Sequence, residues 1–231
     1  MAQPSSTPGS KQSTPARKRA APAGRPSRDP AVVRRRLTEA ATRRFAAAGF
    51  EGVNSNQIAR EAGVGVGTFY NHFRDKHEVH QAVVLDTLEG LQDAVTRAAP
   101  DAAAPVEQQV RALVEGVLSF AEGHADRFRV AFGAEAAPHR PPRSARATGD
   151  VAQPSRAQVG YSTRATERRL AQLRDAGVLE PTLDPAVAAR AFVAMQNEVV
   201  CWWLDDPSRA TREGVIETLV KLHPAIAAAR K

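Results

Sequence analysis

The sequence has a single cysteine, Cys201, among its 231 residues. No intrachain disulfide can form and the cysteine pairs of common zinc sites are missing, which excludes a disulfide-built secreted fold and fits a reducing cytoplasm. No stretch approaches the roughly 18 consecutive apolar residues that a membrane-spanning helix needs. With 42% hydrophobic and 25% charged residues, the composition is that of an ordinary globular protein.

Residues 1–28 contain no acidic side chain and are rich in Ser, Pro, Ala and Arg. Such a segment cannot bury enough apolar surface to offset its ordering entropy, so we expect a disordered basic tail. Prolines between Pro4 and Pro26 exclude the amphipathic helix of a transit peptide. Two roles stay open for the tail, namely an arm that enters the DNA minor groove and a solubilising segment.

The basic excess is confined to the N-terminal third of the chain. The net charge is +7, yet residues 1–29 carry six basic side chains against one acidic, and residues 30–77 carry eight against four. Residues 78–231 therefore have a slight acidic excess. A clustered excess of this kind is typical of a nucleic-acid-binding segment.

Helical periodicity dominates from residue 29 onward. Asp29 followed by Pro30 is typical of a helix N-cap with proline at the first helical position, and apolar residues recur at helical spacing up to Gly49. The same signals predict helices over 54–62, 66–73, 76–98, 106–121, 125–132, 156–176, 185–204 and 207–222. The stretch between Gly133 and Pro154 is predicted to be a long mobile loop. No convincing alternating strand pattern occurs, so the predicted fold class is all-α.

The run from Ser55 to Phe73 has the layout of a helix-turn-helix. Two short helices that cross steeply need a small residue at the crossing and a residue in the turn that tolerates a left-handed backbone, and Ala59 and Gly63 meet these needs. A purely structural helical hairpin is the alternative, and the basic flanks disfavour it. The residues left for solvent or DNA are Val66, Gly67, Thr68, Tyr70, Asn71 and His72.

The stretch from Gly49 to Val79 resembles the DNA-binding domain of the TetR family of transcriptional regulators. The resemblance is carried by Gly49-Phe50, Ile58-Ala59, Ala62-Gly63-Val64, Gly67 to Tyr70, His72-Phe73 and Lys76. It implies a three-helix helix-turn-helix domain over 29–77 and a larger helical domain over 78–231 for dimerisation and ligand binding. It also implies that Thr68, Tyr70, His72 and Lys76 hold DNA phosphates. The predicted DNA-binding residues are Asn54, Gln57, Val66, Gly67, Thr68, Tyr70, Asn71, His72 and Lys76.

Two residues depart from the family pattern at the start of the recognition helix. Gly65 stands where Ser or Pro is usual, which leaves that helix without a good N-cap. Val66 stands where a polar or basic residue is common, so one base contact is expected to be an apolar contact with a thymine methyl group.

Metal and catalytic sites find no support in the sequence. His77, Glu78 and His80 lack the HExxH spacing, so a solvated helix start is favoured over a metal site. Cys201 comes with no placed His and acid, so we expect no catalytic residue, no metal and no cofactor.

For the C-terminal half, the sequence predicts a dimer interface and a ligand pocket only in general terms. The small residues of 185–204, together with Val215, Ile216, Leu219 and Val220, predict a homodimer through the last two helices. The pocket candidates mix large apolar side chains with a few polar groups, although an aromatic stripe at helical spacing is more often plain core. They are Phe120, Phe128, Phe132, Tyr161, Phe192, Met195, Gln196, Val199 and Trp203. Asn197 and Glu198 are either polar anchors or solvent-facing.

The sequence thus predicts a cytoplasmic TetR-like regulator and not an enzyme. The expected protein is a repressor that binds a palindromic DNA operator as a homodimer and is released by a small, largely apolar ligand, with an amide or carbonyl that meets Gln196. The first alternative is an activator or a global regulator without a small-molecule inducer. A rival from another class is an enzyme or metabolite-binding helical protein whose basic N-terminus is incidental.

Overall fold

A computed structural model of the chain describes residues 29–101, 103–133 and 154–227, with side chains from residue 163 in the last range. Within these ranges the chain forms ten α-helices, one 3-10 turn (Pro207–Arg209) and no strand, which confirms the all-α class. The helices are α1 (Pro30–Ala48), α2 (Ser55–Glu61), α3 (Val66–His72), α4 (Lys76–Ala98), α5 (Val106–Gly123), α6 (Ala125–Phe132), α7 (Pro154–Asp175), α8 (Pro185–Asp205), α9 (Arg212–Leu222) and α10 (Pro224–Ala227). The tail predicted for 1–28 and most of the predicted loop, 134–153, lie outside the described residues.

Local capping signals place most helix starts correctly. The Asp29 carboxylate accepts the Ala31 amide at 2.9 Å, and Asp184 does the same for Ala186 at 2.9 Å. Asn54 and Gln57 form a capping box, because each side chain accepts the backbone N–H of the other, at 3.0 and 2.8 Å. These bonds satisfy N–H groups that have no partner within the helix.

The prediction of one helix over 207–222 is wrong. The Asp206 carboxylate accepts from the backbone and hydroxyl of Ser208 at 3.1 and 2.6 Å, and this local turn supports only the 3-10 segment. Thr211 then caps α9 by accepting the Gly214 amide at 3.1 Å. Pro224 follows the end of α9 and begins α10.

The first three helices share one small core. Leu37 of α1, Ile58 of α2 and Phe69 of α3 are completely buried, and Phe73 is nearly so. Val79 and Val83 in the first half of α4 belong to the same core cluster. The helix-turn-helix therefore rests on α4.

The second half of the chain has its own core, which Leu91 of α4 joins. It is built from α5 to α10, and its fully buried members include Val114, Leu118, Phe128, Leu170 and Ile216. Helix α4 thus contributes to both cores along its length.

The expectation of a solvated start for α4 is wrong at His80. Its ring is 9% exposed and lies edge-on to Phe45 and Phe50, with ring centroids 5.2 and 5.1 Å away. His77 packs on Phe50 from the other side at 4.9 Å while staying exposed. Aromatic packing therefore explains both histidines, and the described residues contain no group of three candidate metal ligands.

Replacement of Gly63 by alanine tests the turn between α2 and α3. Gly63 has a φ of 65°, and an added Cβ would lie 2.9 Å from Nη2 of Arg36. Because an L-residue pays roughly 1–2 kcal/mol in this conformation, Gly63→Ala should lower the free energy of unfolding by at least that amount. Urea denaturation followed by circular dichroism measures it.

Gly67→Ala is the matched control, since Gly67 lies inside α3 and a Cβ there meets no atom within 4 Å. Because alanine has a higher helix propensity than glycine, Gly67→Ala should raise the free energy of unfolding by up to about 1 kcal/mol. Equal stability of the two variants would show that the Gly63 turn imposes no constraint.

Candidate nucleic-acid interface and ligand cavity

Helix α3 presents an outer face that no other part of the described chain covers. Val66 is 41% exposed and Tyr70 is 54% exposed, and the neighbouring Gly67 and Asn71 are exposed as well. Phe69, on the opposite side of the helix, is fully buried. The outside of the domain therefore carries a small exposed surface on α3, one helical turn wide, which combines apolar and polar side chains.

The start of α3 has no side-chain cap, as Gly65 predicted. Its far end is held by α1, because Nη1 of Arg34 donates to the His72 carbonyl at 3.0 Å and the guanidinium lies 4.2 Å from the Phe73 ring centroid. A cation at a helix C-terminus is stabilised by the carbonyls that lack a partner there. Arg34 therefore fixes the position of the recognition helix.

Arg36 does the same for α2. Its Nη2 donates to the Ala62 carbonyl at 2.5 Å, next to the turn at Gly63. Sequence reasoning missed both arginines as positioning residues. Their signal was present in the Arg34-Arg35-Arg36 run of an otherwise amphipathic helix, but the partner carbonyls lie on other helices and only the fold brings them together.

Lys76 lies apart from the exposed face of α3 and is already engaged within the protein. Its Nζ donates to the Phe50 carbonyl at 3.1 Å, lies 4.3 Å from the Phe50 ring centroid and is 3.4 Å from a Glu51 carboxylate oxygen. This contact ties the loop after α1 to the start of α4. Asn54 and Gln57 form the capping box described above, and Thr68 and His72 are half-buried.

Two further arginines of α1 are paired with an acid of α2. Nε of Arg43 donates to Glu61 at 2.8 Å, and Arg44 contacts the other carboxylate oxygen. The Arg43 hydrogen bond, with the nearby charge of Arg44, lowers the pKa of Glu61. Part of the basic excess of residues 30–77 is therefore neutralised within the domain.

A cavity of about 540 Å³ lies between α4, α5, α7 and α8. This volume is in the range of small-molecule sites, about 300–1,000 Å³. Most of its wall is apolar, and α4 supplies one whole side. The apolar lining includes Leu88, Leu91, Val95, Val106, Val110, Leu113, Val117, Phe132, Leu173, Phe192 and Val193.

Three of the predicted ligand-binding residues line this cavity, namely Phe132, Phe192 and Gln196. Five of the other predicted residues are not on its wall. Phe120 stacks on His124 with ring centroids 4.6 Å apart, and Nε1 of Trp203 donates to the Ala210 carbonyl at 2.9 Å. Phe128, Met195 and Val199 belong to the surrounding core, and the side chain of Tyr161 lies outside the described residues.

The cavity also has polar lining residues that sequence reasoning missed. His223, at the start of α10, is 4% exposed, and its Nδ1 accepts the Ala225 backbone N–H at 3.1 Å. Burial lowers the pKa of His223 to about 4, so the imidazole is neutral near pH 7. Glu89, Asp93 and Arg169 line the rim and are exposed.

The lone cysteine is a core residue. Cys201 is 6% exposed, and burial, together with the charges of Glu198 and Asp205, raises the pKa of its thiol to about 12. A nucleophilic thiolate is therefore scarce at neutral pH.

Helix α8 carries an exposed stripe of small and apolar side chains, whereas α9 does not. Val187, Ala191, Ala194 and Trp202 recur at helical spacing on the outside of α8. The apolar residues predicted for dimerisation on α9 are buried inside the protomer, where they join the second core. They are Val215, Ile216, Leu219 and Val220.

The N-terminal helices match a known family. Residues 37–83 match the family model of bacterial regulatory proteins, tetR family. The helix-turn-helix of this chain is thus similar to that of the TetR family. Among its curated relatives, an HTH-type transcriptional regulator of Staphylococcus aureus strain USA300 is 39% identical over 56 residues, which are 24% of this chain and 30% of that protein. This chain thus spans less than a third of the length of the curated relatives it matches.

Solved structures extend the likeness to the whole fold. The regulator FadR from Bacillus subtilis, solved with stearoyl-CoA, aligns with a TM-score of 0.64 and 16% identity over 83% of this chain and 98% of that chain. AibR, solved with isovaleryl coenzyme A and operator DNA, aligns with a TM-score of 0.63 and 19% identity over 84% and 98%. At this identity the likeness shows the TetR-type fold. None of the described helices is long and apolar enough to cross a membrane.

The stability of the protein should depend on pH through His223. Its pKa in the folded state, about 4, lies below the ordinary value of 6.5, so the contribution of His223 to stability is fully present above pH 6.5 and is lost as the pH falls toward about 4. The loss is at most about 3 kcal/mol. The free energy of unfolding, measured by urea denaturation between pH 7.5 and 4, should fall less in His223→Asn, which retains an acceptor for Ala225.

His124→Asn serves as the control, because His124 is exposed. It should follow the wild-type pH profile. The same pH profile for His223→Asn and wild type would contradict a neutral, buried His223.

Proposed function

We propose that the chain is a transcriptional repressor that binds a palindromic operator as a homodimer and is released by a small, largely apolar ligand. The observation that carries the DNA-binding part is the uncovered outer face of α3, with Val66, Gly67, Tyr70 and Asn71 exposed on a helix held from behind by Arg34. A recognition helix presented in this way fits the major groove. The family match over 37–83 and the operator complex of AibR support this reading.

The residues of α3 divide into two roles in this proposal. Tyr70, with Thr68 and His72, contacts phosphates and sets the register on the duplex. Val66 and Asn71 face base edges, with the valine side chain against a thymine methyl group. Lys76 holds the Phe50 loop and reaches a phosphate only if it exchanges that contact, so its share in DNA binding is secondary.

The effector part of the proposal rests on the cavity. Its apolar walls suit a largely apolar molecule, and two neighbours of the same fold were solved with acyl-CoA ligands. Because α4 forms one wall and also packs under the helix-turn-helix, a ligand that moves α4 changes the position of α3. Release by a factor of about 100 requires a ligand preference of roughly 2.7 kcal/mol for the state that does not bind DNA.

The alternatives give distinguishable results. An activator keeps its DNA bound when the ligand is added, and a global regulator without an inducer has no ligand that changes its operator affinity. An enzyme with an incidental basic N-terminus retains no sequence-specific DNA. Sequencing the genomic fragments that the purified chain retains tests the proposal directly, since inverted repeats are expected and random fragments would exclude it.

Substitutions on α3 should separate affinity from specificity. Tyr70→Ala removes a phosphate contact and should weaken binding to all sequences about equally, while Asn71→Ala should change the preferred base at one position by about 1–3 kcal/mol. Fluorescence anisotropy on a set of operator variants measures both effects. Gln108→Ala, on the exposed surface of α5, is the control. An unchanged affinity for Tyr70→Ala would refute the assignment of α3 as the reading helix.

We place the dimer interface on the exposed stripe of α8, since the apolar residues of α9 are already buried. Small side chains at 191 and 194 allow a partner helix to approach closely, so Ala194→Glu should give a monomer and weaken operator binding. Light scattering coupled to gel filtration reports the mass. Gln108→Glu, which adds the same charge on exposed α5, should remain a dimer. A dimeric Ala194→Glu variant would show that the interface lies elsewhere.

A further inference from the structure

Gln196 lines the cavity and has an unsatisfied polar atom. The residue is 4% exposed, and its Oε1 is buried without a hydrogen-bond partner among the described residues. An unpaired buried acceptor is destabilising, so a hydrogen-bond donor that reaches it stabilises the protein. The residue lies on α8 in the same cavity wall as Phe192.

His223 provides the complementary group. Its Nδ1 accepts the Ala225 N–H, so the hydrogen of the neutral ring is on Nε2. The ring packs edge-on against Phe192 with centroids 4.5 Å apart, which fixes its plane. The buried wall thus combines one acceptor that lacks a partner, on Gln196, with one N–H donor, on His223.

Charged residues of the cavity lie at its rim. Glu89, Asp93 and Arg169 are exposed, and Nη2 of Arg169 donates to Oε1 of Gln109 at 3.0 Å, which holds the guanidinium there. Gln196 and His223 are therefore not accompanied by a buried charge. A charged ligand group beside them would lose its hydration without gaining a counter-ion.

We propose that Gln196 and His223 form the polar anchor of the effector cavity and select a ligand group that is uncharged and both donates and accepts hydrogen bonds. A hydroxyl or a carboxamide on an apolar body has this chemistry. It donates to Oε1 of Gln196 and accepts from Nε2 of His223. A carboxylate fails on both counts, because it has no hydrogen to donate and it carries a charge. The inference rests on the proposed function only in treating the cavity as the effector site.

Two probes of equal chain length test the selection. Decanamide should bind the full chain at pH 7.5 at least about tenfold more tightly than decanoate in isothermal titration calorimetry. Gln196→Leu should remove most of this preference. Gln172→Leu, the same change on an exposed part of α7, should keep it. The inference is overturned if decanoate binds as tightly as decanamide, if decanamide does not bind, or if Gln196→Leu keeps the full preference.

A second measurement needs no ligand. Gln196→Leu replaces the unpaired acceptor by an apolar side chain of similar size and should raise the Tm by about 2–4 °C, whereas Gln172→Leu should leave it unchanged. A lower or unchanged Tm for Gln196→Leu contradicts an unsatisfied buried acceptor and overturns the anchor.

Operator affinity, measured in parallel, separates this inference from the proposed function. Preferential binding of decanamide without any change in operator affinity supports the anchor and counts against ligand release. Release of operator by decanoate at the same concentration as by decanamide supports ligand release and overturns the anchor.

Discussion

The continuity of α4 is the constraint on which the rest of the structure depends. Val79 and Val83 complete the core under the helix-turn-helix, and Leu88 and Leu91, two to three turns later, form part of the cavity wall. No loop interrupts the 23 residues of this helix. Because interiors are close-packed, we expect a helix shared by two cores to move as a unit, and the proposed coupling is that filling the cavity displaces α4 and with it α3.

The helix-turn-helix is held in place by cations that are engaged within the protein. Arg34 and Arg36 satisfy carbonyls at the ends of α3 and α2, and Lys76 holds the Phe50 loop. Helix α3 has seven residues and no side-chain N-cap, so on its own it would be marginal. The basic charge of α1 therefore has a structural role in addition to its attraction for DNA, and a count of charges along the sequence overstates the number of groups free to contact phosphates.

The sequence was sufficient where the deciding interactions are local. Asp29, Asn54 and Asp184 cap within three residues of themselves, and the exposed face of α3 follows from its own periodicity. The cavity could not be placed in this way, because Phe128 and Phe192 both occur at helical spacing and only tertiary packing decides that one lies in the core and the other on the cavity wall. His223 was missed for the same reason, since its burial depends on α8 and α10 meeting.

The coupling through α4 can be tested without any ligand at Gly90, where α4 meets α5. A Cβ at this position would lie 2.9 Å from Cε2 of the buried Phe120, so in Gly90→Ala either the Phe120 ring or α4 must shift. We predict that the variant stays folded but binds the operator about tenfold more weakly in fluorescence anisotropy, while Gly123→Ala, whose Cβ meets no atom within 4 Å, binds as the wild type does. A folded Gly90→Ala with wild-type operator affinity would contradict transmission through α4.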